Sequence, residues 1–282
     1  MTRLLVCGIA VMDYVHRMDA LPSGGAKHRS HAFDRIGGGC AANAAVGAAR
    51  LGAEVTLMAR LGRDATGDEL AAMLEDAGVT PALARGGRTP LSSVMVDAAG
   101  ERMIVNFPGA DLPTTPPPIP GFDAALTDCR WPEAAGAVLR GARDRDLPGV
   151  LDGEKYTPEP LAALASHVVF SAPGLRDFTG IDALGPALAD AARRLPGRVA
   201  YTDGPDGVVW AGGPHIPAPK VAVVDTLGAG DLWHGAFALA LGRRQGLDAA
   251  SHFANRAAAI KCTRAGGWEV YPTAHDLEER CP

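Results

Sequence analysis

The chain has no block of basic residues. Lys and Arg number 27 against 32 Asp and Glu, a formal net charge of −5 over 282 residues. Neutralising a phosphate backbone requires clustered Lys and Arg, so no nucleic-acid partner is expected. Cysteine is sparse: Cys7, Cys40, Cys129, Cys262 and Cys281 are scattered, and none forms a CxxC pair. An odd number without metal-ligand spacing fits free thiols in a reducing compartment. The eight histidines show neither HxxxH nor HxH spacing. No apolar run reaches the roughly 18 residues of a membrane span. The apolar opening "RLLVCGIAVMD" meets Asp13 too early to be a signal-peptide core. These absences predict a cytoplasmic, soluble protein that does not engage membranes. Two phosphate-binding signatures are also missing: there is no GxxxxGK[ST], and no GxGxxG follows the first strand.

What is present is a rhythm. Residues 3–10, "RLLVCGIA", read as a buried parallel strand. "AANAAVGAARLG" (41–52) reads as a helix ending at Gly52, and "EVTLMARLG" (54–62) as a strand. "TGDELAAMLEDAGV" (66–79) reads as a helix with Thr66 as N-cap, Glu69 three residues on and Gly78 at its end. Strand and helix then recur in "DAALTD" with 132–144, "GVLDG" with 159–165 and "HVVFS" with 173–179. A helix near 183–194 precedes the strand "RVAYTDG", and two strong helices follow at 229–242 and 248–262. Alternation over this length predicts an α/β fold: a doubly wound, mostly parallel sheet flanked by helices. Residues 14–36 and 91–107 break the rhythm and read as antiparallel strands, with "DAAG" as a hairpin turn. They predict a small β-sheet, either decorative or a lid. "PTTPPPIP" (113–120) reads as a rigid connector.

Two glycine clusters carry chemistry. "DTLGAGDLWHGAF" (225–237) follows the β-branched run "KVAVVDT", read as a strand or strand end, and opens a helix. Gly228, Ala229 and Gly230 therefore occupy a first helical turn, where unpaired N–H groups and the helix dipole favour an anion. Asp231 on that turn suits deprotonating a hydroxyl that attacks phosphate. It also suits a plain interaction with the helix dipole, worth about 0.3–1 kcal/mol. "GGGCAAN" (37–43) opens a second helix and ends in the amide of Asn43, so two parts of a ligand can be brought together. His234, Trp131 and Trp233 read as packing or pocket walls. Asp152 either touches substrate or metal, or caps the next helix.

These residues resemble the ribokinase (PfkB) family of sugar kinases. "DTLGAGDLWHGAFALAL" is similar to its C-terminal signature. "GGGCAANAAVGAARLGAEVTLMARLGRDATGD" is similar to its N-terminal one, with the closing pattern of Gly62, Asp64 and Gly67. Within the family, "CGIAVMD", "DCRWPEAA", "FSAPGL" and "AAIKCTRAGG" resemble a bacterial sulfofructose kinase branch. The resemblance implies a single ribokinase-like domain over 1–282, with a lid inserted at about 14–36 and 91–107. It implies ATP and Mg²⁺ and leaves a monovalent cation open. Asp231 would be the base, and the N–H groups of Gly228, Ala229 and Gly230 the anion hole. Asp13, Gly38, Gly39 and Asn43 would hold sugar hydroxyls. Thr202, Gly204 and Gly207 would lie near the nucleotide's phosphates and ribose, with Asn255 and Ala258 near adenine and Cys262 in the same apolar pocket. Many members carry Asn-x-x-Glu where this chain has Ser171 and Gly174, which puts the handling of Mg²⁺ in question and leaves the metal ligands unassigned.

Lys27, Asn106 and Arg130 are candidates for an anionic group on the sugar, since a sulfonate or phosphate suits a Lys and an Arg converging with an amide. Lys27 and Arg130 can equally be solvated surface charges. The expected reaction is phosphorylation of a primary hydroxyl, with a ketose bearing an anionic tail as the leading acceptor. Ribokinase, ketohexokinase and sugar-acid kinase activities are the alternatives. A non-catalytic sugar-binding regulator is disfavoured by Asp231, and a dehydrogenase by the missing dinucleotide fingerprint. Pairing of lid strands between two subunits predicts a homodimer.

Overall fold

The computed structural model describes residues 1–279; Cys281 lies outside them. The first strands in chain order are β1 (Arg3–Gly8), β2 (Val11–Arg17), β3 (Ala32–Gly38), β4 (Glu54–Leu61) and β5 (Val79–Arg85). Next come β6 (Leu91–Val96), β7 (Arg102–Phe107), β8 (Ala124–Thr127), β9 (Gly149–Gly153) and β10 (His167–Ser171). The last are β11 (Arg198–Thr202), β12 (Val208–Trp210) and β13 (His215–Ile216). The helices are α1 (Cys40–Arg50), α2 (Ala65–Asp76), α3 (Pro132–Arg143), α4 (Glu159–Ala162) and α5 (Ala172–Thr179). They continue with α6 (Leu184–Arg194), α7 (Ala229–Gly242), α8 (Leu247–Cys262) and α9 (Ala274–Glu279).

Nine strands form one sheet in the order β13-β12-β11-β10-β9-β8-β1-β4-β5. All its pairings from β11 to β5 are parallel; β12 and β13 add an antiparallel edge. The interior strands are apolar almost throughout, as "RLLVCG" and "AALT" show, because helices cover both faces. One edge is β5, which the alternating pattern did not reveal: "VTPALAR" carries Pro81, tolerable only where a ladder position is open. The other edge, β12 with β13, is too short to leave a pattern.

The second sheet has the order β3-β2-β6-β7. Its two expected hairpins are antiparallel, but they meet through β2 and β6 in parallel. Antiparallel neighbours need only a tight turn, whereas these central strands are joined by a long excursion through the main sheet, which delivers both in the same direction. The 97–100 turn is fixed by Asp97, whose Oδ1 accepts from the N–H groups of Ala99 and Glu101, each at 2.9 Å.

Two local expectations are corrected. The N-cap of α2 is Asp64, not Thr66. Its Oδ1 accepts from Gly67 N at 2.8 Å and its Oδ2 from Thr89 N at 2.8 Å, so one carboxylate satisfies the helix start and an adjoining loop. The run "KVAVVDT" is no strand. Val221, Val223 and Val224 are exposed, and the segment is held by Val224 N and Asp225 N donating to Cys262 O at the end of α8. With no neighbouring strand to pair with, its β-branched residues serve as a wall of a cavity instead.

The largest core lies between α1, α7, α8 and the main sheet. The Ala-rich α1 has little side-chain bulk, so α7 approaches closely. A Cβ on Gly235 would sit 2.3 Å from Ala44 O. That approach sets the distance between Asn43 and Asp231, which lie on facing helices.

Candidate active site

Gly228 is the N-cap of α7, with φ 72°, a left-handed conformation that glycine adopts without penalty. The turn leaves Gly230 exposed and Ala229 buried. The Ala229 N–H donates to Thr226 O at 3.2 Å, so of the three expected anion-hole groups it is the one already engaged within the chain. Asp231 follows, and its Oδ2 accepts from Asn43 Nδ2 at 2.7 Å. Asn43 Oδ1 in turn accepts from Trp268 Nε1 at 2.7 Å. The amide expected to bind sugar thus also orients the carboxylate, and Trp268 fixes which way that amide points. Trp268 gave no motif in the sequence.

This helix start borders two cavities. One, of about 510 Å³, is lined by Asp13, Gly39, Asn43, Asn106, Arg130 and Asp231. The second, of about 730 Å³, is lined by Thr202, Gly204, Gly207, Ala229, Gly230 and Ala258, with Val221 and Val223 among its apolar walls. Asn255 and Cys262 also border it. Asn255 is nevertheless buried and spoken for: its Oδ1 accepts from Trp233 Nε1 at 2.7 Å and its Nδ2 donates to Ile216 O at 2.9 Å. It shapes the pocket rather than offering a free polar group. Gly38 ends β3 against the Asp13 carboxylate.

The three anion candidates separate. Asn106 and Arg130 reach the first cavity, where Asn106 Nδ2 donates to Ser92 Oγ at 3.2 Å. Arg130 Nη2 pairs with Glu154 Oε2 at 2.7 Å. Lys27 does not line that cavity; it is exposed in the segment between β2 and β3. A flexible, strongly hydrated Lys on a segment without regular structure has nothing here to draw it inward. Arg60 does line the cavity, donating from Nη2 to Arg130 O at 2.8 Å and lying 5.2 Å over the Trp131 ring. It went unnoticed in the sequence, although its place near the C-terminal end of β4 is the kind of position that singled out Arg130.

Carboxylates crowd the floor. Burial first, then Asp152, push Asp231 up to about 7, with the Asn43 hydrogen bond acting against them. Asp152 is itself raised well above the usual carboxylate range by burial and by Glu154. Asp128 is pushed up to about 6 by burial, and its oxygens accept from Ile9 N and Arg130 N, both at 2.8 Å, tying down two walls of the cavity. Cys40 opens α1 with its thiol raised well above its ordinary value by burial and by Asp231. His234 is packed away, Nδ1 2.9 Å from Gly230 O and Nε2 3.1 Å from Val169 O. It lines neither cavity itself, but it holds the Gly230 peptide in place behind the larger one and brings Nε2 within 3.5 Å of Asp152 Oδ1.

Ser171 and Gly174 show why the acidic motif cannot operate in its usual position. Ser171 Oγ caps α5 by accepting from Gly174 N at 3.1 Å. A Cβ at 174 would lie 2.6 Å from Gly153 O, so no side chain fits there. The chain at 153–154 fills that space. Among the described residues, Cys40, Asp152 and Glu154 place one ligand atom each within 4.8 Å of one another. The two carboxylates are oxygen donors that suit Mg²⁺, whereas the raised thiol does not.

A family model described as pfkB family carbohydrate kinase matches residues 1–274. The ribokinase of Bacillus subtilis (strain 168) is 31% identical over 294 residues, covering 99% of each chain. Fructokinase-1 of Oryza sativa subsp. japonica is 30% identical over 283 residues, covering 86% of this chain and 87% of its own. Among solved structures, a protein from Agrobacterium tumefaciens with a provisional ribokinase name has TM-score 0.91 and 34% identity, covering 99% of this chain and 96% of its own. The ribokinase of Thermotoga maritima, at 24% identity and TM-score 0.86, shares the fold, with coverage of 99% of both chains.

Proposed function

The chain belongs to the pfkB family of carbohydrate kinases, and from that membership we propose that it transfers the γ-phosphoryl group of ATP to a primary hydroxyl of a sugar with an anionic tail. One observation carries this reading: a single helix start borders both cavities, with Asp231 lining the smaller and Ala229 and Gly230 the larger. The smaller cavity takes the sugar, held by Asp13, Asn43, Asn106 and the backbone at Gly38 and Gly39. The larger takes the nucleotide, with adenine against Ala258 and the valine wall and the phosphates toward Thr202, Gly204 and Gly207. Asp231 accepts the proton of the attacking hydroxyl as its oxygen bonds to phosphorus, and ADP leaves. The first turn of α7 stabilises charge on the phosphoryl oxygens as it moves. The small sheet forms one wall of the sugar cavity through Asp13, Ser92 and Asn106, and as a lid it excludes water that would otherwise hydrolyse ATP.

Asp152 and Glu154 would hold Mg²⁺. The ion would supply charge neutralisation for the transferring phosphates.

Arg60 and Arg130 support an acceptor with a sulfonate or phosphate at its far end, 6-deoxy-6-sulfofructose being the leading candidate. A neutral pentose or ketose is the competing reading, favoured by the Arg130–Glu154 pair, which already balances one of those charges. ADP release measured across neutral, phosphorylated and sulfonated sugars decides between them. The anionic ketose is expected to give the highest kcat/KM, and Arg60→Ala and Arg130→Ala to raise KM for it far more than for fructose or ribose. Preference for a neutral sugar, with both variants indifferent to the tail, would sink the anionic assignment.

A further inference from the structure

Lys261 sits in the last turn of α8 with no exposed surface. Burying an ammonium is costly unless charge and hydrogen bonds compensate it. Its Nζ donates to Asp225 Oδ2 at 3.1 Å and to the Asp225 carbonyl oxygen at 3.2 Å. No other acceptor for Nζ is found among the described residues. Asp225 opens the segment that leads into Gly228, Ala229 and Gly230. Its Oδ1 accepts from Leu227 N at 2.9 Å and from Arg102 Nη2 of β7 at 2.7 Å. Burial works against the charge on Asp225, but the Leu227 N–H, Lys261 and Arg102 together hold its carboxyl below the usual range.

A carboxylate oxygen and a main-chain carbonyl converging in a buried place call for a cation. Here the last turn of α8 supplies one covalently. The geometry points to Lys261 as a built-in cation that fixes the approach to the anion hole and takes the place of a free monovalent ion there. Lys261 touches neither cavity, so it is a positioning residue. It acts by holding Asp225, whose bond to Leu227 N sets the direction of the chain one residue before the N-cap glycine of α7. The residues present therefore do not fit a monovalent-cation requirement at this loop, because the ammonium already occupies both oxygens such an ion would use.

This inference rests on the kinase reading of the site, and the experiment separates the two. Sugar phosphorylation is measured with Mg·ATP in tetramethylammonium buffer, with and without KCl, for the wild type, Lys261→Met and Lys261→Ala; thermal unfolding is followed in the same buffers. Wild-type kcat and Tm are expected to be unchanged by KCl. Both variants are expected to lose about 10²-fold in kcat, the scale of a small misplacement of reacting groups, with sugar KM little altered. In Lys261→Ala, KCl or methylammonium is expected to restore part of kcat and to raise Tm, since a ligand bound only by the folded form stabilises it. A wild-type kcat that climbs several-fold with KCl would overturn the inference. So would a folded Lys261→Ala with wild-type kcat, or a loss that neither cation repairs. If Lys261→Ala does not fold, the wild-type response to KCl decides alone. Absence of phosphoryl transfer to any sugar would instead refute the kinase reading, and the wild-type Tm response to KCl would still test the cation site.

Discussion

Asp231 is buried, with the charges of Asp152 and Glu154 acting on it, and burial first, then that crowding, gives it two consequences that pH can expose. The base role proposed for it requires the ionised carboxylate, so kcat/KM is expected to rise with pH through a midpoint near 7. Asp231→Asn is expected to cost roughly 10²–10⁴-fold in turnover while nucleotide and sugar still bind. Full activity in that variant would remove the base assignment. The stability effect has the opposite sign. An Asp in the unfolded chain titrates near about 3.9, so between that pH and about 7 the unfolded chain loses a proton that the folded one keeps. Folding is therefore penalised increasingly as pH rises through this window, and the penalty is complete above it. The amide in Asp231→Asn carries no charge and retains an oxygen for Asn43 Nδ2. The variant is expected to melt higher than wild type at pH 8, with the difference closing toward pH 4. A difference independent of pH would show that the raised Asp231 carboxyl is not its cause. Asp231 and Asn43 were legible in the sequence because short motifs place them. Trp268, Arg60 and Lys261 were not, because each acts across a distance in the chain that no local spacing reveals.

At the level of elements, what could be read in advance depended on whether a segment's own residues decided its conformation. The helices α7 and α8 and the strands β1, β4 and β8 to β11 follow from apolar patterning bounded by Gly or Pro, and they form close to where that patterning puts them. Where a partner decides, the pattern misleads. "KVAVVDT" has the composition of a strand but no neighbour to pair with, and β5 carries a proline yet is recruited to an edge. The start of α2 is a closer contest. Thr66 and Glu69 offer a plausible capping box, but Asp64 wins because its carboxylate serves α2 and the 88–89 loop at once. Thr89 Oγ1 donates to Asp64 Oδ1 at 2.6 Å, in addition to the two backbone bonds. Asp64→Ala is thus expected to destabilise the fold by about 0.5–2 kcal/mol, as loss of an N-cap does, read as a lower denaturant midpoint at unchanged slope. Thr66→Ala is expected to have little effect. Equal losses in the two variants would contradict this assignment of the cap.

For the molecule as a whole, the small sheet poses the remaining question of what covers it. Its pairing register sorts the side chains into two faces. Asp13, Ile36, Ser92 and Asn106 form one cross-strand row, and Val15, Asp34, Val94 and Ile104 the next. Members of both rows, among them Asp13, Val94 and Ile104, line the smaller cavity. Val15 and Val94 are buried there, yet Ile104 on the edge strand β7 is 55% exposed. On the opposite face Val105 is 60% exposed. An edge strand with open backbone groups and apolar side chains on both faces is a liability unless something pairs with it. A second copy placed edge to edge would bury Ile104 and complete the cavity's outer rim, which is the homodimer expected from the sequence. Sedimentation velocity of the wild type at micromolar concentration is expected to show a dimer. Ile104→Glu should shift it to monomer and raise the sugar KM more than the ATP KM, since the edge borders the smaller cavity, proposed for the sugar, and not the larger one. A wild type that remains monomeric with full sugar affinity would mean that the sheet closes over its substrate without a partner.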